Sequence, residues 1–125
     1  MFNREKFEEL LGPKYQNNNS MIANVTTRTN RAMANQFVIT KDHTVTFKSY
    51  DTYICTLDND KGTITFYTNN EFFPKYTMTT RRAFNNCFVT NWALRDFRML
   101  TKFNLCSING IFYKIILKDD YTERD

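Results

Sequence analysis

The sequence predicts one small α+β domain in which an antiparallel β-sheet, a meander plus a C-terminal hairpin, packs against two or three helices. Its 125 residues are enough for a single hydrophobic core. Aromatic residues reach 16%, which favours a packed globule over a disordered chain. The hydrophobic period also changes along the chain, from strand-like alternation in the first half to helical spacing after residue 74.

The N-terminal part is predicted to be a helix followed by a polar loop. Residues 2–11 have apolar side chains at helical spacing, and Gly12 and Pro13 would end the helix. Residues 14–20 are polar and have no apolar period, so they predict a surface loop. We place the domain core at residues 26–118 of a single domain that spans 1–125.

A four-stranded meander is predicted next. The predicted strands cover residues 36–40, 44–50, 52–57 and 63–68. Turns at 41–43 and 58–62 join them, and the second ends in a glycine suited to positive φ. In the third strand Tyr53, Cys55 and Leu57 are expected to share one face. An antiparallel sheet with one solvated face follows from this pattern.

Two helices and a hairpin are predicted after the meander. The apolar residues of the first helix are Ala83, Phe84, Cys87 and Phe88. Thr79 or Thr80 is its predicted N-cap, and a second helix is predicted over residues 91–102. Asn109-Gly110 between apolar runs predicts the hairpin, because a type I′ turn needs positive φ at both positions. The charged residues 119–125 are expected to form a frayed acidic tail.

The inventory of reactive side chains argues against catalysis. His43 is the one histidine, and it lies in a predicted turn where solvation is the ordinary outcome. Cys55, Cys87 and Cys106 are scattered and lack the short-spaced pair that a zinc site needs. We read these cysteines as small buried hydrophobic residues of a reducing compartment.

Phosphate loops and carboxylate sites are not expected either. The three glycines are isolated, so no glycine-rich phosphate loop can form. Asp58 and Asp60 fall in one predicted turn, where a solvated pair is far commoner than a Ca²⁺ or Mg²⁺ site. The sequence therefore predicts a protein that is not an enzyme, with no metal, no cofactor and no small-molecule substrate.

The location predicted from the sequence is the cytoplasm. No stretch approaches the roughly 20 apolar residues that a membrane-spanning helix needs, so no membrane partner is expected. The first six residues are largely charged or polar and lack the apolar region of a signal peptide.

Residues 75–102 carry the main functional signal, since they hold six basic residues and one acid, Asp96. The basic residues are Lys75, Arg81, Arg82, Arg95, Arg98 and Lys102. Arg28 and Arg31, ahead of the sheet, would extend this patch. The planar guanidinium can grip a phosphate or carboxylate with two parallel hydrogen bonds. An ordinary solvated helix face is the alternative interpretation of the same pattern.

Tyrosines on the predicted sheet offer a second, weaker signal. Tyr50, Tyr53 and Tyr67 could stack on nucleic-acid bases, or they could complete the hydrophobic core.

Three segments carry a resemblance to a known family: Ala34–Ile39, Phe47–Thr52 and Tyr76–Arg81. They resemble a family of small uncharacterised proteins that bacteriophages and other mobile elements carry. Its members have similar Ala-Asn-Gln-Phe-Val-Ile, Phe-x-Ser-Tyr-x-Ser/Thr and Tyr-Ser-x-Thr-Thr elements. The likeness covers about residues 26–89. It implies a phage origin, residence in the host cytoplasm, and a small accessory or counter-defence role.

Two functions of different classes follow. In the first, the chain binds nucleic acid, either RNA or DNA, through the phosphate contacts of its basic helices. In the second, it inhibits a host nucleoprotein defence complex, as an anti-CRISPR protein does, through a protein interface. Salt dependence separates them, because phosphate binding weakens steeply with salt and an apolar interface does not. A third possibility is a structural or homo-oligomeric phage protein that acts purely through protein–protein contacts, which light scattering would detect as a defined multimer.

Overall fold

Seven strands form one curled sheet, a half-barrel, and one helix packs against it within the part of the chain that is described. The computed structural model describes residues 20–27, 29–73, 75–88, 105–108 and 111–122. The strands are β1 (Ser20–Thr26), β2 (Ala32–Lys41), β3 (Thr44–Ser49), β4 (Thr52–Asp58), β5 (Thr63–Tyr67), β6 (Leu105–Ile108) and β7 (Ile111–Lys118). The helix is α1 (Met78–Cys87). The strand order is β1-β2-β3-β4-β5-β7-β6.

The predicted α+β class, a sheet packed against two or three helices, is wrong. The described chain is mostly β, with 56% of it in strands and one short helix. The predicted helices over 2–11 and 91–102 lie outside the described residues, as does nearly all of the predicted loop 14–20. Strand β1 was not predicted at all, because it is an edge strand that depends on hydrogen bonds to β2 and not on its own short-range pattern.

The sheet is also mixed, which corrects the prediction of a purely antiparallel one. The C-terminal hairpin is confirmed, since β6 and β7 are antiparallel and Ile108 pairs with Ile111. Strand β7, however, runs parallel to β5, with Ile64 beside Ile115. A parallel pair requires a long crossover, and the chain between β5 and β6 supplies it. Asn109 and Gly110 themselves lie outside the described residues.

The meander strands β2–β5 and their turns are confirmed. Two-residue turns join β2 to β3 and β3 to β4, and each has a left-handed residue, Asp42 (φ 52°) and Tyr50 (φ 53°). The β4–β5 turn ends in Gly62 at φ 65°. The Asp58 carboxylate stabilises that turn by accepting from the backbone N–H groups of Asp60 and Lys61, both at 3.0 Å.

A β-bulge in β4 decides which side chains face the helix. Phe47 pairs with Cys55 whereas Lys48 pairs with Tyr53, so Ile54 is the extra residue. Cys55 therefore stays on the face that packs against α1, the core face, and Tyr53 turns to the opposite, open face. The prediction that Tyr53 shares a face with Cys55 and Leu57 is wrong for this reason.

Helix α1 packs on the core face through its predicted apolar residues. Ala83, Phe84 and Cys87 are buried, and the Phe84 ring centroid lies 6.2 Å from that of Phe47. The predicted cap at Thr79 or Thr80 is wrong, because Thr77 has extended backbone angles and its hydroxyl accepts from the Thr80 N–H.

Candidate functional site

The structure describes four of the eight basic residues that the sequence singles out. Arg31 lies in the β1–β2 turn and Lys75 just ahead of α1, and both are exposed. Arg81 and Arg82 lie on α1, where Arg81 is half-buried and Arg82 exposed. We call these four residues the helix-side cations. Arg28, Arg95, Arg98 and Lys102 lie outside the described residues.

One contact places α1 and the β1–β2 turn on the same side of the molecule. The Asn86 side-chain amide donates to the sulfur of Met33 at 3.5 Å. Met33 follows Arg31 by two residues, and Asn86 follows Arg82 by one helical turn. The exposed side of α1 that carries Arg82 and Asn85 is therefore continuous with the surface at the start of β2.

Among the described residues, no neighbouring carboxylate neutralises the helix-side cations. Within the described chain, none of the four has a carboxylate oxygen within 4.0 Å. Residues 75–88 contain no Asp or Glu. The Nε of Arg81 is buried and finds no acceptor among the described residues. An anion arriving beside α1 would therefore meet positive charge that the described residues leave unpaired.

The open face carries a hydrogen-bonded row of hydroxyls that the sequence did not single out. The Thr56 hydroxyl lies 2.8 Å from that of Thr46 and 2.6 Å from the phenol of Tyr67. Thr46 and Tyr67 are buried although they point away from α1. Three hydroxyls bring three O–H donors and these two contacts use two of them, so one donor remains for another acceptor.

The C-terminal tail covers part of this row. A frayed tail was predicted, but residues 119–122 lie against the open face. The Tyr121 ring stacks on Tyr53, with centroids 4.1 Å apart, and meets Tyr67 edge-on at 5.7 Å. Tyr53 and Tyr67, two of the three tyrosines predicted to lie on the sheet, thus pack against Tyr121 of the tail. The other one, Tyr50, is exposed in the β3–β4 turn.

Two clefts flank Tyr121 on the open face. The larger has a volume of about 470 Å³ and lies between the β2–β3 and β4–β5 turns. Its described lining residues include His43 and the charged side chains of Lys41, Asp42, Asp58 and Asp60. The smaller, about 190 Å³, has the carboxylates Asp51, Asp119 and Asp120 in its wall. Tyr67 and Tyr121 line both clefts.

His43 lines the larger cleft. Its Nδ1 lies 3.7 Å from a carboxylate oxygen of Asp60, and its carbonyl accepts from the Asn59 N–H at 3.0 Å. Both side chains of the His43–Asp60 pair are more than half exposed. Within the described residues, no three His, Cys, Asp or Glu side chains come together in a metal-binding group.

The described thiols are buried. They belong to Cys55 and Cys87, and burial raises the pKa of the Cys87 thiol well above its ordinary value. Cys87 is therefore protonated, and hence a poor nucleophile, at neutral pH.

Tyr67 gives the open face a predictable response to pH. Burial raises the pKa of Tyr67 from 10 to about 12. The neutral phenol therefore stabilises the fold fully below pH 10, and this contribution is lost as the pH rises through about 12. We expect Tyr67→Phe to cost about 0.5–1.5 kcal/mol at pH 7 and to weaken the decline of stability between pH 9 and 11.

Urea unfolding at pH 7, 9 and 11 checks this result. Tyr50→Phe is the matched control, because Tyr50 is exposed and should change neither quantity. If Tyr67→Phe kept the whole alkaline decline of the wild type, the buried phenol would not be its source.

Comparison with models of known protein families, with curated proteins and with solved structures gave no match. The resemblance of residues 26–89 to a phage-carried family therefore stays a prediction. In the described part of the chain, no helix is long and apolar enough to cross a membrane.

Proposed function

We propose that this protein is a non-catalytic binding module that holds the phosphate backbone of a nucleic acid against the helix-side cations. The observation that supports the proposal best is the unpaired positive charge beside α1. Arg31, Arg81 and Arg82 have no carboxylate partner among the described residues, and residues 75–88, which include α1, contain no acid.

The chemistry of these side chains suits phosphate. Exposed guanidinium groups donate several hydrogen bonds in a fixed plane, and each phosphate that they neutralise releases condensed counterions. Such contacts give affinity without reading sequence. Asn85 is exposed one turn after Arg82, where its amide can donate to and accept from base edges.

The opposite side of the molecule disfavours the same ligand. Within the described chain, its two clefts are lined by six carboxylates and one lysine, Lys41. Like charge at this face would repel phosphate, so a nucleic acid is directed to the α1 side.

A nucleic acid inside a host nucleoprotein complex presents the same phosphates. The phage resemblance favours this form of the proposal, in which the chain inhibits a host defence complex such as an RNA-guided nuclease.

Charge reversal beside α1 tests the proposal. We expect Arg31→Glu combined with Arg82→Glu to weaken binding of a fluorescein-labelled single-stranded RNA by at least about tenfold in 100 mM KCl. The slope of log K against log salt should become shallower by about 1.4, since each lost contact to a single strand removes about 0.7. Fluorescence anisotropy from 50 to 300 mM KCl measures both quantities, with a DNA duplex as a second probe.

The matched control is Lys61→Glu with Lys114→Glu, which changes the net charge equally. Lys61 lies in the β4–β5 turn and Lys114 on β7, and both are exposed. This pair should keep most of the affinity. Equal losses from the two double variants, or no binding by the wild type in 50 mM KCl, would overturn the proposal.

An exposed apolar surface supports the homo-oligomeric alternative. Phe112 and Ile116 share one face of β7 and are 69% and 38% exposed, next to the edge strand β6. A defined multimer in light scattering, without affinity for nucleic acid, would favour this function.

A further inference from the structure

We propose that the open face is a docking surface for a basic segment of a partner protein, with a Lys or Arg side chain of that segment inside the larger cleft. The inference concerns the side of the sheet opposite α1, and it does not depend on the function proposed above.

The shape of the open face fits an extended segment. Two concave clefts lie side by side, and the rings of Tyr67 and Tyr121 form a wall common to both. Side chains two residues apart in an extended chain project from the same side, at about 6.5–7 Å. Neighbouring clefts on one face can therefore receive alternate side chains of one bound strand.

The charge of the clefts determines which side chains they accept. Among the described lining residues, three carboxylates face one lysine in the larger cleft, and the smaller cleft has three carboxylates and no basic residue. Among the described residues, no Lys or Arg forms an ion pair with Asp42, Asp51 or Asp119. A cationic side chain would pair with these groups, whereas an acidic one would be repelled.

The tyrosine rings give a second, independent reason for a cation. The Lys48 Nζ already lies 5.2 Å from the centroid of the Tyr53 ring on this face. Rings that attract one ammonium group can attract a second through the negative charge of their faces. Tyr67 and Tyr121 line the clefts, so a guanidinium or ammonium entering there meets an aromatic wall.

The floor of the larger cleft adds hydrogen-bonding capacity. The Thr46, Thr56 and Tyr67 hydroxyls all line it, and their two mutual contacts leave one O–H donor over. Lone pairs of the same oxygens can accept from a guanidinium. The larger cleft thus combines hydroxyl groups, aromatic rings and carboxylates. This combination suits an arginine or lysine side chain better than an apolar or acidic one.

Binding of short labelled peptides tests the inference. The probes are an acetylated Gly-Arg-Ser-Arg-Ser-Gly peptide, its citrulline analogue, which keeps the shape without the charge, and its glutamate analogue. We expect the arginine peptide to bind at least about five times more tightly than either analogue in 50 mM KCl. Asp42→Asn with Asp60→Asn should reduce its affinity at least about fivefold.

Glu71→Gln is the control for loss of negative charge. Glu71 is exposed and lines neither cleft, so this change should alter affinity less than about twofold. Thr56→Val tests the floor without changing the charge, and we expect a loss of about two- to threefold. Circular dichroism verifies that each variant is folded.

Three results would overturn the inference: equal binding of the arginine and citrulline peptides, equal losses from Glu71→Gln and the cleft variant, or no loss from the cleft variant. The Arg31→Glu with Arg82→Glu variant should keep its affinity for the arginine peptide. Failure of the nucleic-acid proposal would therefore be distinguishable from failure of this one.

Discussion

Replacing Phe84 by alanine is expected to lower the free energy of unfolding by about 3–5 kcal/mol. Phe84 is fully buried, and its ring lies between those of Phe47, Phe66 and Phe88, with centroid distances of 5.1–6.3 Å. Truncation would remove these ring contacts and leave a cavity where α1 meets the sheet. A loss of this size is a large fraction of the stability of an ordinary small domain.

Urea unfolding followed by far-UV circular dichroism measures this change. Met78→Ala is the control in the same helix, because Met78 is 58% exposed and should cost less than about 0.5 kcal/mol. A loss below about 1 kcal/mol for Phe84→Ala would contradict the packing of α1 on the core face.

The same substitution connects packing to the proposed function. Arg81 and Arg82 keep their positions on the surface only while α1 stays packed against the sheet. We expect Phe84→Ala to weaken RNA binding and Met78→Ala to leave it unchanged. Loss of stability with full RNA affinity would mean that the helix-side cations do not need the packed helix.

The parts of the fold that the sequence predicts correctly depend on neighbouring residues. The turn at 58–62 has its own chemistry, a carboxylate that accepts from two backbone N–H groups and a glycine at positive φ. The apolar face of α1 is likewise visible in a short window, as Ala83, Phe84 and Cys87. Local signals of this kind do not depend on which strands become neighbours.

The parts that were missed depend on distant residues. Nothing near β5 or β7 in the sequence shows that the two run parallel, because the paired residues, such as Ile64 and Ile115, are 51 positions apart. The bulge at Ile54 is a shift in register between β3 and β4, which alternation within one strand cannot reveal. That bulge also placed Tyr53 under Tyr121, so the packing of the tail was missed with it.

The candidate sites differ in the same way. The positive charge beside α1 could be predicted, since Arg81 and Arg82 are adjacent and residues 75–88 contain no acid. The acidic cleft combines carboxylates from two turns, and in a meander the β2–β3 and β4–β5 turns lie at the same end of the sheet. The order of the meander strands was predicted, but the cleft between these two turns and the position of Tyr121 were not.

Replacing Gln36 by methionine is expected to stabilise the protein by about 1–3 kcal/mol. Gln36 is fully buried on the core face of β2, and neither atom of its amide has a hydrogen-bond partner among the described residues. Burying an amide without partners costs free energy that the unfolded chain, which is hydrated, does not lose. Methionine has nearly the same length and flexibility and carries no such cost.

The residue opposite Gln36 provides the matched control. Ser49 pairs with Gln36 across β2 and β3, and its hydroxyl shares a hydrogen bond of 2.9 Å with that of Thr80 on α1. Ser49→Ala leaves Thr80 without this partner and should destabilise the protein by about 1 kcal/mol. Urea unfolding of both variants measures the change in the free energy of unfolding. We expect an increase for Gln36→Met and a decrease for Ser49→Ala, although the two residues are paired neighbours and both are buried and polar.

Strand β2 carries a second buried polar group that has no hydrogen-bond partner among the described residues. Thr40 is buried, and its hydroxyl also has no partner among the described residues, so Thr40→Val should stabilise the protein as well. If Gln36→Met and Thr40→Val both lowered the stability, the polar atoms of β2 would be hydrogen-bonded in solution. If both raised it, β2 carries polar groups that the fold does not need, and RNA affinity of the two variants then decides whether binding needs them.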